Sequence, residues 1–139
     1  MEHTLFQWME CAEQDNEVQQ LLNCFDQKQT GLVLTGSQCM ELIECHRETL
    51  REYGRIEFNQ GILPDLIQTF IDSPYLEEDT LLDQLEQLQE LFFFAKNQCH
   101  DHIDDQVLLD WMRDCFDHEA AGSVELVYAQ LMQSLEEDR

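Results

Sequence analysis

Apolar residues recur at helical spacing along nearly the whole chain, and the polar residues between them carry the signals that start and stop helices. Near the beginning, Thr4 and Gln7 form a capping pair ahead of Leu5, Trp8, Met9 and Ala12. Val18, Leu21, Leu22 and Phe25 then fall at i, i+3, i+4 and i+7 of a second segment. It begins near Asp15 or Asn16 and is expected to stop at Gly31. After "LVLT", Thr35 with Gln38 reads as a capping box for a helix carrying Cys39, Leu42, Ile43, His46, Leu50 and Tyr53 on one face. Gly54 ends it.

Only "RIEF" at 55–58 breaks the helical period. Ile56 and Phe58 alternate with Arg55 and Glu57, which predicts an extended piece, short and a weak partner for "LVL". A short helix follows with Leu63, Leu66, Ile67, Phe70 and Ile71, where Pro64 is tolerated only in the first turn. "DSPY" at 72–75 breaks the chain, because the residue before Pro74 avoids helical angles.

The longest segment runs from about Glu77 to Asn97. Leu81, Leu85, Leu88, Phe92 and Ala95 make one seam, flanked by Leu82 and Phe93. With Phe92, Phe93 and Phe94 in a row, its second half is apolar over more than half its circumference. It must be covered on at least two sides: it is the central helix of the fold, or it meets a second copy of itself in a homodimer. Val107, Leu108, Trp111, Met112, Cys115 and Phe116 mark the next helix. Ser123 caps the last one, with Val124, Val127, Leu131 and Leu135. The expectation is an all-α single-domain bundle of about six helices over residues 1–139, with at most a minor two-stranded element and residues 1–15 a loosely attached N-terminal helix.

Two helices stop in the same words. "CFDQKQTGLV" at 24–33 and "CFDHEAAGSV" at 115–124 both place Asp ahead of Gly at the spacing of a calcium loop. Such a loop needs oxygen donors at alternate positions and a bidentate Glu at its twelfth. Counted from Asp26, the third position is Lys28 and the twelfth Ser37; counted from Asp117, Glu119 and Glu125 are donors, but the twelfth position is Tyr128. The shared words are a shared way of ending a helix, with Gly at the left-handed stop. "CHDHIDD" at 99–105 offers Cys99, His100 and His102, without the paired spacing that zinc sites show. No metal and no cofactor is expected. Asp117, Glu119 and Glu125, and separately Cys99, His100 and His102, are the only candidate donors singled out. In the same connector, Asp101 or Asp104 is an N-cap. His46, amid apolar positions, is a core or boundary histidine with a hydrogen-bond partner.

Charge narrows the function. Seven Lys and Arg stand against 30 Asp and Glu, a net charge of −23. Such a field repels phosphate backbones, so direct nucleic-acid binding is disfavoured, while basic partners are attracted. Arg47, Arg51 and Arg55, at i, i+4 and i+8, hold three of the seven bases. They either lace a solvent face with weak salt bridges or point together at one anionic partner, such as an acidic helix of the same chain. No membrane span is expected, since the longest strongly apolar run, "LFFFA", is far short of the ~18 residues needed. The N-terminus does not read as a signal peptide, so the six cysteines are expected to be reduced thiols in a cytoplasmic protein.

Taken in order, "GLVLT" (31–35), "GRIEFNQGIL" (54–63), "DSPY" (72–75), "LFFFAKN" (91–97), "IDDQVL" (103–108) and "GSVEL" (122–126) resemble an uncharacterised family of small proteins from Clostridia and related Firmicutes. The resemblance covers residues 16–127. It implies a bacterial, cytoplasmic, single-domain protein and brings no activity, cofactor or catalytic residue. No acid, base and nucleophile stand together at a distinctive spacing, so an enzyme is not expected. The sequence favours an adaptor that engages another protein through its acidic surface or its arginine face. Two alternatives are an acidic mimic of nucleic acid that binds a basic protein, and a weak divalent-metal module.

Overall fold

The computed structural model describes residues 16–26, 30–58 and 61–137. Residues 16–26 are helical (α1). They are followed by α2 (Gly36–Glu52), α3 (Leu63–Phe70), a 3-10 turn at Glu78–Thr80 that leads into α4 (Leu81–Gln98), α5 (Asp105–Asp117) and α6 (Val124–Glu137). Among the described residues there is no strand, and the architecture is all-α as the periodicity predicts. The Thr4–Ala12 segment lies outside the described residues.

The caps read from the sequence are in place. Thr35 accepts from the Gln38 backbone N–H at 3.1 Å while the Gln38 side chain accepts from the Thr35 N–H at 2.9 Å, a reciprocal capping box on α2. At its other end the Arg55 N–H reaches the Leu50 carbonyl at 2.8 Å. Asp104 rather than Asp101 caps α5, accepting from the Gln106 N–H at 3.2 Å. Ser123 Oγ accepts from the Leu126 N–H at the start of α6.

α4 is the centre. It packs most extensively on α2 and also on α3 and α6. Leu85, Leu88, Leu91, Phe92, Phe93 and Ala95 are all buried. Phe92 and Phe93 meet edge to face, centroids 5.2 Å apart, and Phe70 and Phe116 do the same between α3 and α5 at 5.6 Å. The apolar face of α4 is thus covered within one chain, the first of the two arrangements its sequence allowed.

The 55–58 stretch departs from its expectation. It forms no strand, and its apolar residues face solvent: Ile56 is 88% exposed and Phe58 85%. The polar pair turns inward. Glu57 Oε1 lies 2.7 Å from Nε2 of His46, which is buried, and 3.2 Å from the Ile62 N–H. A carboxylate only accepts, so Nε2 carries the proton. Arg55 reaches across to Asn97 and Asp101 at the end of α4, its guanidinium 5.8 Å over the Phe93 ring. Burying His46 without Glu57 would strand a polar ring in the core, and that demand outweighs placing Ile56 and Phe58 inside.

Candidate functional site

Most of the positive charge among the described residues is committed to the chain itself. Arg47 pairs with Glu17 at 2.8 Å, joining α2 to α1. Arg55 pairs with Asp101, and Lys96, buried in α4, pairs with Asp105 at 2.8 Å while donating to the Ile103 carbonyl. Arg113 donates to Asp72, to Asp117 and to the Thr69 carbonyl, tying α5 to the end of α3. Arg51 is exposed and has no ion-pair partner among the described residues. Arg47, Arg51 and Arg55 therefore do not converge: one reaches back to α1, one stays in solvent, one folds over α4. Sequence spacing found the three bases but missed Lys96 and Arg113, whose roles depend on loops the helical period says nothing about.

Part of the excess negative charge lines a groove of about 550 Å³ between α3 and α5. Asp65, Asp72, Asp110, Asp114 and Asp117 line it around Arg113, with Thr69 and His118. Ser73 Oγ donates to Asp117 at 2.6 Å, which fixes that carboxylate against Arg113. Gln106 donates to Asp110 at 2.8 Å. The Asp114 carbonyl accepts from His118 Nδ1, and that bond together with the Asp114 charge pushes the imidazole's pKa up.

The candidate calcium donors are sent apart. Asp117 belongs to this acidic groove, held by Arg113 and Ser73; Glu125 lines a different pocket, at the start of α6. Cys99 hydrogen-bonds back to the Lys96 carbonyl, and the rings of His100 and His102 lie 6.4 Å apart. Among the described residues no three His, Cys, Asp or Glu side chains are placed to hold a metal ion together.

That second pocket, of about 490 Å³, sits where the end of α2, the middle of α4 and the start of α6 meet. Tyr53, Phe94 and Tyr128 supply its rings, Leu91 and Val124 its aliphatic floor, and Glu90 and Glu125 its charge. Phe94 and Tyr128 stand 5.3 Å apart with planes inclined by 44°. Alongside, at the α2–α4 contact, Gln89 is fully buried. It donates to Thr49 Oγ1 at 2.8 Å and to Cys45 Sγ at 3.3 Å, while its carbonyl oxygen has no partner among the described residues.

A run of carboxylates edges this contact. Burial, then the charges of Glu41 and Asp83, push the Glu86 carboxyl up to about 7, and it shares a hydrogen bond with Glu41. The folded chain holds that proton to about pH 7, whereas an unfolded glutamate gives it up near 4.5. Its stabilising contribution is therefore complete below pH 4.5 and is lost as the pH climbs to about 7. Glu86→Gln should be more stable than wild type at pH 8, by about 1 kcal/mol after allowing for solvent screening, and equal to it at pH 4.5. Urea melts at the two pH values read this directly; a variant less stable at pH 8 contradicts the placement.

The thiols are quiet. The five described cysteines are free, and burial pushes Cys39 and Cys45 up to about 11, so neither supplies a thiolate near neutrality.

Fold and surface together define a small acidic helical domain in which four of the five described Lys and Arg residues are held by its own carboxylates and open, carboxylate-lined depressions lie outside. The chain belongs to a family of unknown function, DUF6323, whose profile matches residues 20–139. The match runs on through α6 to the last residue, beyond the motifs that carried the resemblance. No curated protein and no solved structure matches the chain.

Proposed function

We propose that the protein is a non-enzymatic interaction domain whose acidic surface engages a basic protein. The commitment of its cations carries this reading. Four of the five described Lys and Arg residues are held by carboxylates of the same chain, so little positive charge is left to recruit an anion. In the groove between α3 and α5, Arg113 already serves Asp72 and Asp117, and Asp65 and Asp110 have no Lys or Arg of the described chain in ion-pair range. A partner's lysines or arginines supply the missing sign, and the long-range field speeds their encounter. Docking on an arginine face loses its footing once Arg47 and Arg55 are engaged internally. Free thiols in all five described cysteines fit a reducing, cytoplasmic setting, and no described helix is long and apolar enough to cross a membrane.

Crosslinking in the native host followed by mass spectrometry tests the proposal. The expected result is a basic protein captured by the wild type and by Arg51→Ala, and lost from the Asp65→Asn, Asp110→Asn, Asp114→Asn triple variant. A partner that depends on Arg51 and ignores the triple variant overturns it, as does the absence of any reproducible partner.

A further inference from the structure

The pocket at the junction of α2, α4 and α6 has a composition that the acidic surface alone does not explain. Three aromatic rings converge there, Tyr53 at the C-cap of α2, Phe94 of α4 and Tyr128 of α6, beside two carboxylates, Glu90 and Glu125. Ring faces carry negative quadrupole charge, and rings grouped with carboxylates form the kind of box that holds an ammonium head with its attached methylenes. An anion would be repelled by both glutamates. A neutral apolar group would leave their charges beside it unbalanced.

We propose that this pocket receives an alkylammonium group, the lysine side chain of a basic partner protein, whose methylenes lie on the three rings while Glu90 and Glu125 balance its charge. Among the described residues no Lys or Arg lines the pocket, and none forms an ion pair with either glutamate. The local field is already felt by the groups present. Burial and then Glu52 push the Glu90 carboxyl's pKa up, and burial, Glu52 and Glu90 do the same to the Tyr53 phenol. Each is the response of a site with excess negative charge and partial dryness, and an entering cation relieves both. Tyr128 stands at the mouth, nearly half exposed, so its ring can close on a ligand with no change in the core. The pocket lies against α4 and α6, away from the aspartates between α3 and α5, so one partner can be steered by the aspartates and anchored here.

The inference rests on the preceding reading that the partner is basic, and the two can fail separately. The test is carbon–proton NMR of the aromatic side chains, titrated with the N-acetyl methylamides of lysine, trimethyllysine, arginine and norleucine at ~0.15 M salt. Saturable shifts are expected at Tyr53, Phe94 and Tyr128 with both ammonium probes, which should bind about tenfold more tightly than norleucine. Glu90→Gln should weaken lysine binding several-fold, and Tyr128→Ala about tenfold, whereas Tyr128→Phe should preserve it. The proposal is overturned if norleucine binds as well as lysine, if arginine binds and lysine does not, if lysine shifts are diffuse and unsaturable, or if Tyr128→Ala has no effect. Loss of the captured partner from the aspartate triple variant alone, with Tyr128→Ala harmless in both assays, sinks this pocket and leaves the basic-partner reading standing. Lysine binding here, with a captured protein that is acidic, does the reverse.

Discussion

Phe92→Ala is expected to cost ~3–5 kcal/mol in urea melts, the largest effect of any single substitution proposed for this protein. The residue is almost fully buried, and its ring lies edge to face with Phe93. It belongs to the one helix that α2, α3 and α6 all pack against, so three neighbours would have to move to fill the space. Packed helices do not collapse that far, and the cavity adds to the lost transfer energy. Phe94, two residues on, is half-buried at the rim of the ammonium pocket, and its removal should cost clearly less. A loss under 1 kcal/mol for Phe92→Ala would contradict the central placement of α4.

The second large effect separates the two matching helix ends. Gly31 and Gly122 have nearly the same backbone, with φ of +84° and +86°. Among the described residues nothing lies within 4 Å of a Cβ added at Gly31, but at Gly122 the Cβ would meet the Tyr75 Cβ at 2.8 Å and its ring at 2.9 Å. Tyr75 cannot yield easily: its ring packs edge-on against Phe116, and its carbonyl accepts from Gln84. Gly31→Ala should therefore carry only the left-handed backbone cost of about 1 kcal/mol. Gly122→Ala adds a close-packing clash and should reach ~2–4 kcal/mol. Equal losses at the two sites would show that the Tyr75 contact contributes nothing. Gly31 and Gly122 thus share a left-handed backbone, and the second is also a packing site.

The sequence made the helices legible because their signals are local. A capping box needs only Thr35 and Gln38, and Leu81, Leu85, Leu88 and Phe92 disclose a seam by spacing alone. What it could not show is which face of a short extended piece turns inward. The alternation in "RIEF" is real, yet a period of two gives two faces without saying which is buried. The choice is made by His46 from eleven residues earlier, by Asn97 of α4 and by Asp101 just beyond it. The periodicity places the start of α4 near Glu77, but a 3-10 turn at Glu78–Thr80 intervenes before Leu81, since acidic residues at 77–79 suit either kind of turn. The pocket residues were hidden for a similar reason. Tyr53 reads as helix face, Phe94 as one of three core phenylalanines and Tyr128 as the wrong residue for a calcium loop. Only the meeting of α2, α4 and α6 brings them to one place.

Both the fold and the pocket depend on α4, whose buried seam organises the core and whose outer edge carries Glu86 and Glu90. Native-state hydrogen exchange measures this most directly. The amides from Leu88 to Ala95 should exchange only through global unfolding, with protection at least equal to any in α2 or α5. Exchange of those amides through local openings, while α2 and α5 stay protected, would contradict a domain folded around that helix.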